Sequence, residues 1–135
     1  MNATTSADAR HLIATLLFTY AETADRKDIA TVTQLFGDAV VTFPSDGYDR
    51  PEDAEGFWTR LWGNDTVHRH DISNLVIEPL EGRRWQARAH YTRWVFQPDP
   101  TLHTLGEYEL TVDINAEGTV ARLAALTAKR TWTLG

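Results

Sequence analysis

In the first half of the chain apolar residues recur every three or four positions, and in the second half every two. Leu12, Ile13, Leu16, Leu17, Tyr20, Ala21 and Ala24 fall on one helical stripe, and Thr5 and Ser6 stand ahead of it as caps, so the spacing predicts a first helix over residues 7–24. Asp25 and Asp28 make a D-x-x-D start for a short second helix carrying Ile29, Val32, Leu35 and Phe36, with Gly37 as its stop. Residues 39–43 are a brief β-branched and apolar strand cut off by Pro44, and the turn-rich SDGYDRP follows as a loop. Pro51 suits the first position of a third helix, on which Phe57, Trp58, Leu61 and Trp62 gather before Gly63 and Asn64 end it.

From residue 66 the period becomes two. Runs over 66–80, 84–97, 101–114 and 119–133 are separated by Glu81-Gly82, Pro98-Asp99-Pro100 and the segment 115–118, a pattern that predicts a four-strand antiparallel meander. Helices first and strands afterwards indicate an α+β domain with its helices on one face of the sheet. Strands of this length, well beyond the usual ~5–6 residues, twist and curl. The expectation is a cone with an open end.

The first long run, TVHRHDISNLVIE, carries two imidazoles. Strict alternation puts His68, His70, Ile72, Asn74 and Val76 on one face and Val67, Arg69, Asp71, Ser73, Leu75 and Ile77 on the other. Neither face is purely apolar, as expected of a strand that is part core and part wall of a polar cavity. If the first face points outward, Arg69 and Asp71 line the cavity instead.

Bulk properties narrow the function classes. At 135 residues the chain is expected to form one domain, 1–135, with a sizeable core. It has no cysteine, which removes disulfides, thiolate metal sites and a cysteine nucleophile. A net charge of −6 argues against a nucleic-acid partner, which calls for a basic face. No run approaches the ~20 apolar residues of a membrane span, and no leader pattern opens the chain, so no membrane partner is expected and a cytoplasmic location is the default. No glycine-rich phosphate loop or serine elbow occurs, so no cofactor and no serine nucleophile are implied. The H-x-H could bind a metal if His90, His103 or Glu107 supplied a third ligand. The glutamate expected soon after the second histidine in a cupin is absent, and the metal expectation is none.

The order of elements, with AETADRKDIATVTQLF leading into AVVTFP, then HRHDISNLVIE, LGEYELTVD and VARLAALTAKRTW, resembles the NTF2-like superfamily and its SnoaL-like branch over nearly the whole chain. That resemblance implies a conical α+β fold with an internal pocket and a homodimer through the outer sheet face. It also implies activities that include cyclisation, dehydration and isomerisation, alongside non-catalytic binding modules and small subunits of ring-hydroxylating dioxygenases. The segment AETADRKD is similar to the corresponding stretch of scytalone dehydratase, which assigns a catalytic acid to Asp25 and a catalytic histidine to His70. The positions of that family's second histidine and of a tyrosine before the acid carry Phe96 and Ala24 here.

Each candidate has a plainer alternative. Asp25 is placed either to cap the second helix or to orient His70, and His70 is either a hydrogen-bonded strand histidine or a general base. His68 is a second candidate on the same face. Tyr20 and Tyr108 are chosen as hydrogen-bond donors to a substrate carbonyl, and Phe43, Trp58, Trp62, Tyr91 and Phe96 as cavity walls, although aromatic residues at such spacings also serve as core. Arg93 and Trp94 suit an outer dimer face. The expected function is acid–base chemistry on a small, apolar, oxygenated substrate such as a polyketide or terpenoid. The alternatives are a non-catalytic ligand-binding or assembly module, or a dioxygenase small subunit.

Overall fold

The structure is a computed structural model and describes residues 4–135. Helix α1 (Ser6–Arg26) is longer at both ends than the apolar stripe predicts: the Thr5 side chain accepts from the Asp8 amide (3.1 Å), and Lys27 ends the helix with φ 53°. Helix α2 (Ile29–Phe36) is capped by Asp28, whose carboxylate accepts from the Thr31 amide (3.1 Å) and hydroxyl (2.7 Å). Capping therefore falls to Asp28, and Asp25 lies inside the last turn of α1.

Strand β1 (Val40–Thr42) is followed by β2 (Gly47–Tyr48), a short hairpin return within the segment expected to be loop. A single 3₁₀ turn at Pro51–Asp53 leads into α3 (Ala54–Trp62). Four long strands complete the chain: β3 (Val67–Pro79), β4 (Arg84–Phe96), β5 (Pro100–Ile114) and β6 (Ala121–Thr133). The sheet has six strands in the order β2-β1-β6-β5-β4-β3, antiparallel except that β1 runs parallel to β6, with Val41 beside Leu126. The domain is the NTF2-like α+β cone, with three helices against one face of an open, curved sheet. Among the described residues no helix is long and apolar enough to cross a membrane.

The core forms where the helical stripe meets the inner residues of the sheet. Ile13, Leu17 and Tyr20 of α1, Phe36 of α2 and Phe57 and Trp58 of α3 are buried against Leu110, Val112 and Leu126. Each such side chain contributes roughly 1.5–3 kcal/mol of burial. Two polar tips in this core are satisfied together: the Tyr48 hydroxyl donates to the Phe36 carbonyl (2.7 Å) and accepts from the Trp58 indole N–H (3.1 Å).

Strict alternation fails on β3. Asn74, with φ 59°, adopts the left-handed conformation that asparagine tolerates better than most residues, and two residues there oppose one on β4 between the Ser73–His90 and Val76–Arg88 pairs. Beyond this bulge Leu75 and Ile77 pack on the core while Val76 is exposed, the reverse of the expected faces. Further register shifts fall between Arg93 and Trp94 opposite β5, leaving His103 as the extra residue, and at two places along β6.

Candidate active site

The C-terminal end of α1 meets the start of β3, and this junction builds the site. The left-handed cap at Lys27 returns two amides to the helix, Lys27 N–H to Ala24 O and Asp28 N–H to Thr23 O (both 3.0 Å). The Ala24 carbonyl accepts a further bond, from His68 Nε2 (2.6 Å). A carbonyl only accepts, so Nε2 of His68 carries its proton. The guanidinium of Arg93 only donates, and its Nε reaches His68 Nδ1 (3.2 Å), so that nitrogen is bare. His68 is thus a neutral ring fixed from both sides, and burial lowers its pKa from 6.5 to about 4, with His70, Arg93 and Lys27 adding to the shift.

His70, two residues along the same face, is held differently. Its backbone N–H (2.7 Å) and its ring Nδ1 (2.9 Å) both bond to Oδ1 of Asp25. The carboxylate accepts both, which places the ring proton on Nδ1 and leaves Nε2 as the free lone pair of the neutral imidazole. The ring lines a cavity of ≈ 360 Å³. Its neighbour His68 lies edge-on, ring centroids 4.7 Å apart. Asp25 does not line the cavity; it stands behind His70.

Beside the histidines three phenols form a cluster, Tyr91 having its ring centroid 6.4 Å from that of His70. Tyr91 and Tyr108 lie nearly parallel with centroids 4.3 Å apart, and Tyr108 meets Tyr20 edge-on at 5.6 Å. The buried hydroxyls of Tyr20 and Tyr108 hydrogen-bond to one another. Burial raises the pKa of all three, which keeps them neutral. The stack depends on Gly106, which pairs with Tyr91 across the strands: a Cβ there would run into the Tyr91 ring and the Lys129 carbonyl oxygen.

Of the wall residues expected from sequence, Tyr20, Phe43, Trp62, His68, His70, Tyr91 and Tyr108 line this cavity. Two do not. Trp58 is 0% exposed and sits in the core behind Trp62, because its indole is held by Tyr48. Phe96 follows the outward phase of β4, beside Val67 at the sheet edge. Trp94 shares that outer face and donates to Asp71, which also pairs with Arg69, so the alternative pocket built from Arg69 and Asp71 is not formed. Arg93 is corrected in the other direction: it lies on the inner phase with Trp85, Ala87, Ala89 and Tyr91, and that alternation was visible in the sequence. Arg130, two positions past Ala128 on β6, follows the same logic. His103 and Thr104 join the wall through the bulge on β5, for which the sequence carried no signal. Arg93 Nη1 donates to His103 Nδ1 (3.0 Å), and the Thr104 hydroxyl lies 2.7 Å from the same nitrogen.

A SnoaL-like domain family model matches residues 5–125 of the chain. Among solved structures, ActVI-ORFA from Streptomyces coelicolor superposes with a TM-score of 0.79 at 11% identity, covering 91% of this chain and 98% of that one. A proposed scytalone dehydratase from Novosphingobium aromaticivorans DSM 12444 gives 0.77 at 18% identity, over 93% and 86% of the two chains. The beta subunit of a proposed aromatic-ring-hydroxylating dioxygenase from the same organism gives 0.75 at 20%, over 94% and 92%. At these identities the likeness is one of fold. No curated protein matches the chain by sequence.

Proposed function

The chain belongs to the SnoaL-like domain family, and from that premise we propose that it is a cofactor-independent cyclase, dehydratase or isomerase acting on a small, apolar, oxygenated substrate of polyketide or terpenoid type. The observation that carries this reading is the Asp25–His70 pair, 2.9 Å between Oδ1 and Nδ1, with the opposite nitrogen of the ring free at the cavity wall. In the proposed reaction, Nε2 of His70 takes a proton from a carbon α to a carbonyl. Asp25 holds the tautomer and stabilises the imidazolium that forms, as an orienting carboxylate does in a triad. Tyr20, at the cavity wall beside Tyr108, donates to the oxygen on which negative charge develops. The proton on His70 then passes to a departing hydroxyl in a dehydration, or to another carbon in an isomerisation or ring closure. Every step needs only groups that this chain supplies.

A purely structural module, including a dioxygenase small subunit, asks for the fold alone. It leaves the oriented imidazole and the phenol stack without a task. We further propose a homodimer through the outer sheet face, where Leu105 (39% exposed) and Trp132 (43%) pair across β5 and β6. α-Hydrogen exchange tests the catalytic reading without knowledge of the natural substrate. In deuterated buffer, 2-tetralone is expected to exchange its α protons faster with the wild-type protein than with His70→Ala or Asp25→Asn, by about 10²–10⁴-fold for the loss of the base. Equal exchange in wild type and His70→Ala would sink the assignment.

A further inference from the structure

The cavity wall carries two guanidinium groups and, among the described residues, no carboxylate. Arg93 from β4 and Arg130 from β6 both line it. Seven other arginines of the chain each pair with an aspartate or glutamate. Among the described residues these two form no ion pair, and neither do Arg10 and Arg83 outside this cavity, in a protein whose acidic residues outnumber its basic ones by 19 to 13. Arg93 is half-buried and spends Nε and Nη1 on the bare nitrogens of two neutral imidazoles, His68 and His103. Burial and, to a lesser degree, the nearby charge of Arg130 act against its protonated form, while Tyr91 and Tyr108 act in its favour. A half-buried charge without a counter-ion is costly, and an anion arriving beside it offsets that cost.

The placement also defines the ligand. Tyr91, Gly106 and Arg130 are consecutive partners across β4, β5 and β6, and Gly106 has no side chain, so the Tyr91 phenol and Arg130 face one another over it. Arg93 and Thr104 form the adjacent row. The two guanidiniums therefore flank the same strand, β5, with the apolar walls of Phe43, Leu61 and Trp62 also bounding the cavity. Arg93, with Nε and Nη1 engaged, still offers the N–H groups of Nη2, and the planar fork of Arg130 matches a carboxylate, which accepts two parallel N–H bonds. Asp25, the carboxylate behind His70, is engaged by that residue's backbone N–H and ring.

We propose that the substrate is a carboxylic acid: an aromatic or polycyclic, oxygenated carbon skeleton whose carboxylate is clamped by Arg93 and Arg130 while its carbonyl-bearing portion reaches His70. This rests on the catalytic reading for the role of His70 but not for the binding of the anion. A volume of ≈ 360 Å³, at the small end of ligand sites at ~300–1,000 Å³, suits a skeleton of two or three fused rings.

The probes are 2-naphthylacetate and its neutral amide, 2-naphthylacetamide, titrated against the intact protein by calorimetry or tryptophan fluorescence. The carboxylate is expected to bind at least about tenfold more tightly than the amide, the advantage of a charge-assisted bond over a neutral one, and to lose that advantage as salt rises. In Arg130→Gln, an exposed position whose replacement spares the core, the preference falls to about threefold or less, and Arg93→Gln does the same. His70→Ala keeps it. Equal affinities for acid and amide in the wild type, or a preference that survives both arginine variants, overturns the proposal. If the acid is preferred but no α-hydrogen exchange occurs, the catalytic assignment falls and the anion site stands; exchange without acid preference has the opposite meaning.

Discussion

His68 makes the stability of this protein sensitive to mild acid. Its ring is 6% exposed, donates to the Ala24 carbonyl and accepts from Arg93, an arrangement only the neutral tautomer can satisfy. The unfolded chain takes up a proton on this side chain near pH 6.5, whereas the folded protein resists until about 4. Between those values the unfolded state binds more protons, so stability is full above pH 6.5 and drains away as the pH falls toward 4. At about 1.36 kcal/mol per pH unit, the fall from 6.5 to about 4 corresponds to about 3 kcal/mol. Protonation would also turn Nδ1 from acceptor to donor and set it against the Arg93 N–H. The informative perturbation is His68→Gln, whose carboxamide can donate to Ala24 and accept from Arg93 but has no proton to gain. Urea unfolding of both proteins at several pH values from 7 down to 4.5 isolates the effect, because every other titrating group is common to the two. The stability lost by the wild type on acidification is expected to exceed that of the variant by about 2–3 kcal/mol, with the curves converging or crossing as pH falls. Curves that run parallel over the whole range would refute the argument.

Two further substitutions separate roles that lie close together in sequence. Asp28→Ala removes the cap of α2 and is expected to cost about 1 kcal/mol in urea unfolding while leaving the His70 Nδ1 proton visible in its hydrogen-bonded position by NMR; Asp25→Asn is expected to move that proton signal and to leave the cap intact. Gly106→Ala forces a methyl group against the Tyr91 ring and the Lys129 carbonyl, so it is expected to destabilise by about 1–3 kcal/mol, and by less when Tyr91 is also replaced by alanine.

Most of the framework was legible because it rests on local rules. The apolar stripe of α1, the proline at the start of the third helical segment and the period-two runs all place their elements within a few residues of the observed ones. The pairing of Asp25 with His70 was also anticipated, through family resemblance and not through spacing, since D-x-x-D reads equally well as a cap. What escaped depends on long-range contact. The parallel seat of β1 against β6 and the hairpin return of β2 are fixed by partners far along the chain. Asn74 did offer a clue, being a poor strand former that accepts a positive φ, and a bulge there would have put Leu75 and Ile77 on the core. His103 offered none: nothing local distinguishes a residue that a register shift will turn inward.

The bulges give the sheet a property that a regular cone would lack. On β3 the segment with His68, His70 and Ile72 is separated from the segment with Leu75 and Ile77 by one phase-shifting residue, and β6 is interrupted likewise between Arg130 and Thr133. Inward and outward positions on the cavity side of each bulge are therefore set independently of those on its far side. A single-residue insertion or deletion at such a point would exchange the chemistry presented to a ligand while the packed half stayed in step. The scaffold can in this way be re-lined at its mouth by one codon, with no need to rebuild the core that keeps it folded.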